Sequence, residues 1–164
     1  DGVGPQDYLV SLLECRGAIV RISPSLAVEG FFADPTDDEV NAYAHDVLTA
    51  IRTRDIEKLC EFHESGRPLK CSNAFGESLL HLACRRGFFE VAAYLIKDAG
   101  VTVRVRDDYG RTPLHDACWT CEPNFDLLEL IITACPDLLL MSDKRGNTPL
   151  EYARPEQWQA YKEF

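Results

Sequence analysis

The chain has 164 residues, enough for one domain or one short repeat array. With 46% apolar and 27% charged residues, its composition is that of a folded protein and not of a disordered tail. A net charge of −10 disfavours nonspecific binding to nucleic acid or to an anionic membrane surface. No apolar run approaches the ~20 residues that a membrane-inserted helix needs.

The charge is unevenly spread. Residues 1–40 hold eight acidic side chains and two arginines, whereas residues 70–115 hold seven basic and five acidic ones. One face is therefore expected to be locally basic on an acidic molecule. Seven cysteines, an odd number without disulfide-scaffold spacing, point to a reducing intracellular compartment, cytoplasm or nucleus. The sequence starts at Asp1 with no visible signal peptide, so a processed form or a fragment is expected, and an organelle stays open.

In chain order, Asp7–Arg16 reads as a short helix with a Leu9, Leu12, Leu13 stripe and Gly17 at its stop. The stretch from Leu12 to Ile22 lines up with Leu95 to Val105, so residues 7–22 are either half of a worn repeat or an unrelated capping helix. Ser23–Asp38 contains Pro24, Gly30 and Pro35, which exclude a long helix, and the adjacent Phe31 and Phe32 are expected to anchor an extended arm. Thr36-Asp-Asp-Glu39 is a capping box that opens a predicted helix over Asp37–Thr53. A second helix follows Arg54.

The most informative stretch is Asp107-Asp-Tyr-Gly-Arg-Thr-Pro-Leu-His-Asp-Ala117. Gly110 allows the positive φ of a tight turn, Thr112 suits an N-cap, and Pro113 suits the first helical position. His115 then falls within reach of the Thr112 hydroxyl. The pattern occurs 34 residues earlier as Asn73-Ala-Phe-Gly-Glu-Ser-Leu-Leu-His-Leu-Ala83, and 36 residues later as Asp143-Lys-Arg-Gly-Asn-Thr-Pro-Leu-Glu-Tyr-Ala153.

A period in the thirties around Thr-Pro-Leu-His resembles the ankyrin repeats. The resemblance implies an all-α ankyrin-repeat solenoid of about three repeats plus a degenerate C-terminal cap. Its repeats would be residues 37–72, 73–106, 107–142 and 143–164, preceded by a helix and arm over residues 1–36. Pro123 should stop one helix of the third repeat and Asn124 should cap the next, Phe125–Ala134. In the last repeat Glu151 replaces the histidine, Pro155 ends the helix early, and Trp158 and Tyr161 should lie over the open end of the stack.

Cys118-Trp-Thr-Cys121, three residues after His115, has the spacing of a redox or zinc motif. The repeat frame opposes this, because Cys118 matches Cys84 at a small buried position and no second pair completes four ligands. His81 and His115 are, by the resemblance, structural ties between helix starts and neighbouring backbone. Phosphate-cradling glycine loops, a nucleophile elbow and paired catalytic carboxylates are not visible, so no catalytic residue, metal or cofactor is expected.

What the resemblance implies instead is protein binding on a concave face made of turn tips and inner helices. Carrying the variable contact positions over gives Phe75, Arg85, Arg86, Arg106, Tyr109, Arg111, Trp119, Lys144 and Arg145. Aromatics and arginines dominate interface hot spots, so the expected partner is a protein with an acidic and apolar surface, not a nucleic acid. A permanent place in a larger assembly, with residues 1–36 as docking surface, and a redox or metal protein using Cys118 and Cys121 are the alternatives.

Overall fold

The computed structural model describes residues 2–18, 23–24 and 30–164. Within it, paired helices succeed one another as the sequence predicts. The chain runs α1 (Pro5–Cys15), β1 (Ser23–Pro24), α2 (Asp37–Ala42), α3 (His45–Thr53), α4 (Ile56–Glu64), α5 (Leu79–Arg85), α6 (Phe89–Ala93), α7 (Pro113–Cys118), α8 (Phe125–Ala134), β2 (Met141–Ser142) and α9 (Trp158–Glu163). A π-helical turn, Tyr94–Asp98, prolongs α6, and short 3-10 turns at Pro136–Leu140, Pro149–Tyr152 and Pro155–Gln157 fill the last third.

The inner helices α3, α5 and α7 stack in order and the turn at Pro149–Tyr152 follows, while α4, α6 and α8 form the outer row. Between them Ile51, Leu59, Leu79, Leu80, Leu95, Leu114, Leu127 and Ile131 are fully buried. No single helix could bury such a set; the core exists only because each repeat covers its neighbour.

The tips link the repeats as well. The backbone N–H of Asp108 donates to the carbonyl of Phe75 and that of Lys144 to the carbonyl of Tyr109, both at 2.8 Å. Gly76 sits at φ +73°, and a Cβ there would meet the Arg106 carbonyl at 2.7 Å. Turn conformation and close packing thus both require glycine at this tip.

The predicted helix over Asp37–Thr53 is two helices. Its capping box forms, with Glu39 N–H donating to Thr36 Oγ1 and Thr36 N–H to Glu39 Oε2. The helix breaks at Tyr43–Ala44 because Ala44, extended at φ −121° and ψ 168°, occupies the N-cap place that Ser78 and Thr112 take one and two repeats later. The repeat frame overrides the local apolar periodicity. Arg67 closes the gap, its guanidinium donating to the Ala42 carbonyl at 2.9 Å, which also accepts the Ala44 N–H, and gripping Asp46 with two further bonds. The first repeat therefore carries a helical turn where later ones carry an open tip.

Asn124 caps α8 as expected, accepting from Leu127 N–H at 3.1 Å, and its amide also donates to the Gly87 carbonyl of the preceding repeat. In the last repeat Tyr161 is buried against Phe125, with ring centroids 5.5 Å apart, and Trp158 donates its indole N–H to the Ala153 carbonyl.

The N-terminal segment takes a position with no signal in the sequence. Helix α1, begun by Pro5 and buried at Pro5 and Gln6, packs on α9 and the Pro149–Tyr152 turn at the far end of the stack. Ser23–Pro24 then pairs in parallel with Met141–Ser142. Further on, Ala33 N–H donates to the Arg104 carbonyl, and Arg104 and Arg106 lie over the rings of Phe31 and Phe32 at 5.0 and 4.8 Å. The described parts of the arm thus touch the approach to the fourth tip, then that to the third. Val20, Arg21 and Ile22, part of the line-up with residues 103–105, lie outside the described residues.

One backbone position is strained. Arg54, at φ 58°, is the sole non-glycine residue with positive φ among the described residues, and it stands where the next repeat has Gly87 at φ 69°. A side chain in that conformation costs ~1 kcal/mol or more. Arg54→Gly should therefore raise stability by about 0.5–1 kcal/mol in denaturant melts, whereas Arg54→Ala, which keeps the strain and loses the contact of Arg54 with Phe88, should not. Equal effects of the two substitutions would show that the strain is not there.

Candidate functional site

Each tip is shaped by its first side chain. Asn73 Oδ1 accepts the N–H groups of Phe75 and Glu77, Asp107 Oδ1 those of Tyr109 and Arg111, and Asp143 Oδ1 those of Arg145 and Asn147, all at 2.8–3.0 Å. With the inward carboxylate or amide closing the turn, the third residue of each tip points away from the core. That residue is Phe75, then Tyr109, then Arg145.

Behind each tip a histidine locks the next inner helix. His81 Nδ1 accepts from Ser78 N–H at 3.2 Å, and His115 Nδ1 accepts from Thr112 N–H at 3.1 Å. An Nδ1 that accepts leaves the proton on Nε2, which donates to the Arg111 carbonyl from His81 (2.8 Å) and to the Asn147 carbonyl from His115 (3.0 Å). Each imidazole thus bonds to the tip of the following repeat. Both rings are completely buried, and burial holds the His115 pKa down at about 4.

Three large aromatics remain exposed on this side: Phe75 at 66%, Tyr109 at 56% and Trp119 at 54%. Phe75, Glu77, Asp107, Tyr109 and Arg111 line one recess between two tips. Arg111 also lines a second recess with Arg85, Asp116, Trp119, Arg145 and Tyr152, so the two adjoin. Six of the nine sequence-derived contact residues (Phe75, Arg85, Tyr109, Arg111, Trp119 and Arg145) come together here.

The arginines differ in their freedom. Arg85 bridges Glu77 at 2.6 Å and the buried Asp116 at 3.0 Å, and Arg111 binds Asp107 at 2.7 Å. Burial pushes the Asp116 carboxyl up, offset in part by the Arg85 guanidinium. Arg85 and Arg111 consequently stabilise the frame that presents the aromatics, and reversing Arg85 to Glu would set a third carboxylate beside two others. Arg111 and Arg145 lie over the Tyr109 ring at 5.2 and 5.9 Å.

The other three lie elsewhere. Arg86 lines a recess with Gly87, Glu122, Pro123 and Asn124 at the turns between inner and outer helices. Arg106 lies over Phe32 of the arm, and Lys144 is exposed at the outer edge of its tip. Arg154 was missed. It stacks on Trp119 at 5.8 Å, but it lies beyond the tip and helix positions that the repeat pattern flags.

Cys118 is fully buried and its thiol is pushed well up by burial, as is that of Cys84. A thiol in that state is a poor nucleophile and a poor metal ligand. Cys118 and Cys121 are both free, and no group of His, Cys, Asp or Glu among the described residues is arranged to hold a metal ion. No helix among the described residues is long and apolar enough to cross a membrane.

A stack of helix pairs with projecting tips and buried imidazole ties defines a helical-repeat protein. The family model for ankyrin repeats (3 copies) matches residues 48–138, more than half of the chain. The chain belongs to the ankyrin repeat family.

Among curated proteins it is 33% identical over 98 residues to the SMC5-SMC6 complex localization factor protein 1 of Homo sapiens, covering 60% of this chain and 8% of that protein. It is 31% identical over 117 residues to diacylglycerol kinase iota of Rattus norvegicus, covering 70% and 11%. It is 36% identical over 81 residues to the probable 26S proteasome regulatory subunit p28 of Saccharomyces cerevisiae, covering 49% and 34%. The matched stretch spans about a tenth of the first two of these proteins.

The imidazole tie has a pH signature. The folded pKa of His115, about 4, lies below the ordinary value of 6.5, so the unfolded chain binds the extra proton more readily. Its contribution is intact above pH 6.5 and is lost as pH falls towards 4, by ~3 kcal/mol in full. His115→Gln should be less stable at pH 7 yet lose less stability between pH 7 and 4 in denaturant titrations. An unchanged acid slope would show that His115 does not carry the effect.

Proposed function

We propose that this chain is a non-catalytic protein-binding scaffold whose concave face holds a protein partner. Repeats of this family serve protein–protein interaction, and the assignment to this face rests chiefly on one observation. Phe75, Tyr109 and Trp119 are each more than half exposed on adjoining recesses, whereas from α2 through α9 every other large apolar side chain is at least partly buried. Large rigid aromatics lose little conformational entropy when covered and contribute heavily at interface centres.

The partner's surface is apolar with acidic elements, since arginine guanidinium groups edge the aromatics. The seven free thiols suit a reducing compartment, cytoplasm or nucleus. A second reading, a permanent subunit of a larger assembly, draws on exposed Val3, Tyr8 and Phe164, carried by the N-terminal segment and the C-terminal helix that pack together at the far end of the stack. The names of two relatives also refer to complexes.

Affinity capture on the immobilised chain, followed by binding titration of the captured protein, tests the first reading. Substituting Phe75, Tyr109 and Trp119 together by Ala should weaken binding by orders of magnitude, since each anchor contributes ~2 kcal/mol. The melting temperature should change little, because these side chains are exposed. Undiminished binding by a folded triple variant would place the interface elsewhere.

A further inference from the structure

The concave face is electrostatically lopsided. At its Phe75 end the guanidinium groups of Arg85 and Arg111 are already engaged by Glu77, Asp116 and Asp107. At its Trp119 end two arginines stand over exposed rings, Arg145 over Tyr109 and Arg154 over Trp119. Among the described residues neither has a carboxylate within ion-pair distance. The backbone of Arg145 is fixed by Asp143, and one Arg154 Nη donates to Cys121 Sγ at 3.7 Å. A guanidinium resting on an aromatic face still offers its N–H edge to a carboxylate.

We propose that this face reads direction in its partner: an extended segment lies along it with one carboxylate at the end where Arg145 and Arg154 stand, and a large apolar side chain at the Phe75 end. This rests on the concave face being the binding surface. The segment carries a single acid and not an acidic run, because the chain as a whole bears −10 and repels polyanions beyond the first contact. Phe75 and Arg145 hold the third position of tips two repeats apart, so two steps of about 10 Å separate them. An extended strand covers that span in roughly six residues at ~3.3 Å each, and an even spacing keeps both side chains on one side.

Selection of a displayed random 12-residue peptide library on the immobilised chain tests this. Enriched peptides should share a large apolar residue and one Asp or Glu about six positions away, in one order only. Selection on Arg145→Ala/Arg154→Ala should keep the apolar preference and lose the acid. A synthetic winning peptide should bind the double variant roughly tenfold more weakly. Its Asn or Gln analogue should lose the same factor on the original chain and little on the variant, a coupling that simple loss of folding would not produce.

An acid still selected by the double variant, an acid on either side of the apolar residue, or no enrichment over an irrelevant protein would each overturn the proposal. A separate arm uses the Phe75, Tyr109 and Trp119 to Ala variant. If it selects the same peptides, the concave-face reading itself fails; if it selects none while the double variant behaves otherwise than expected, only the directional reading fails.

Discussion

The structure depends on a neutral imidazole held out of water between two repeats. His81 and His115 each accept a backbone N–H at the start of their own helix and donate to a carbonyl at the following tip. A buried donor or acceptor left unpaired costs ~1–3 kcal/mol, so each ring secures the helix start and the neighbouring tip together. Spacing between repeats is therefore set by hydrogen-bond length as well as by apolar packing. In the last repeat Glu151 caps Thr148 with its carboxylate instead.

This frame separates what holds the fold from what faces outward. The Asx side chains, the histidines and the capping hydroxyls point inward and spend their hydrogen bonds there, so the third residue of each tip is free to vary. At the start of the stack the helical turn α2 replaces an open tip, so the aromatics at tips belong to the second and third repeats, Phe75 and Tyr109. At the other end α1 and the Ser23–Pro24 pairing cover part of the last repeat, so the N-terminal segment helps to close the end opposite the one at which the repeats begin.

Much of this was legible in the sequence because it is written in local chemistry. A turn glycine, a capping hydroxyl, Pro at the first helical position and a histidine three residues after the cap each act over four or five residues and recur at fixed spacing. Asn124 was legible for the same reason. The break at Tyr43–Ala44 was not, since a cap position occupied by Ala gives no capping signal while the flanking residues keep helical periodicity. Nor could the docking of α1 on α9 be read, being a contact between the two ends of the chain. The same limit applies to the arginines: residue type alone does not distinguish Arg85, paired with a buried carboxylate from the next repeat, from Arg145, which has no such partner.

On the proposed function, a rigid frame presents Trp119, Tyr109 and Phe75 to a partner. The chain has two tryptophans, the exposed Trp119 and Trp158, which is bonded through its indole N–H to Ala153 in the cap. The two indole N–H resonances in a proton–nitrogen correlation spectrum, recorded as a captured partner is added, therefore report the two locations independently. Movement of the Trp119 signal on binding with the Trp158 signal unchanged is the predicted result. A stationary Trp119 signal in the saturated complex, with or without movement of Trp158, would contradict it.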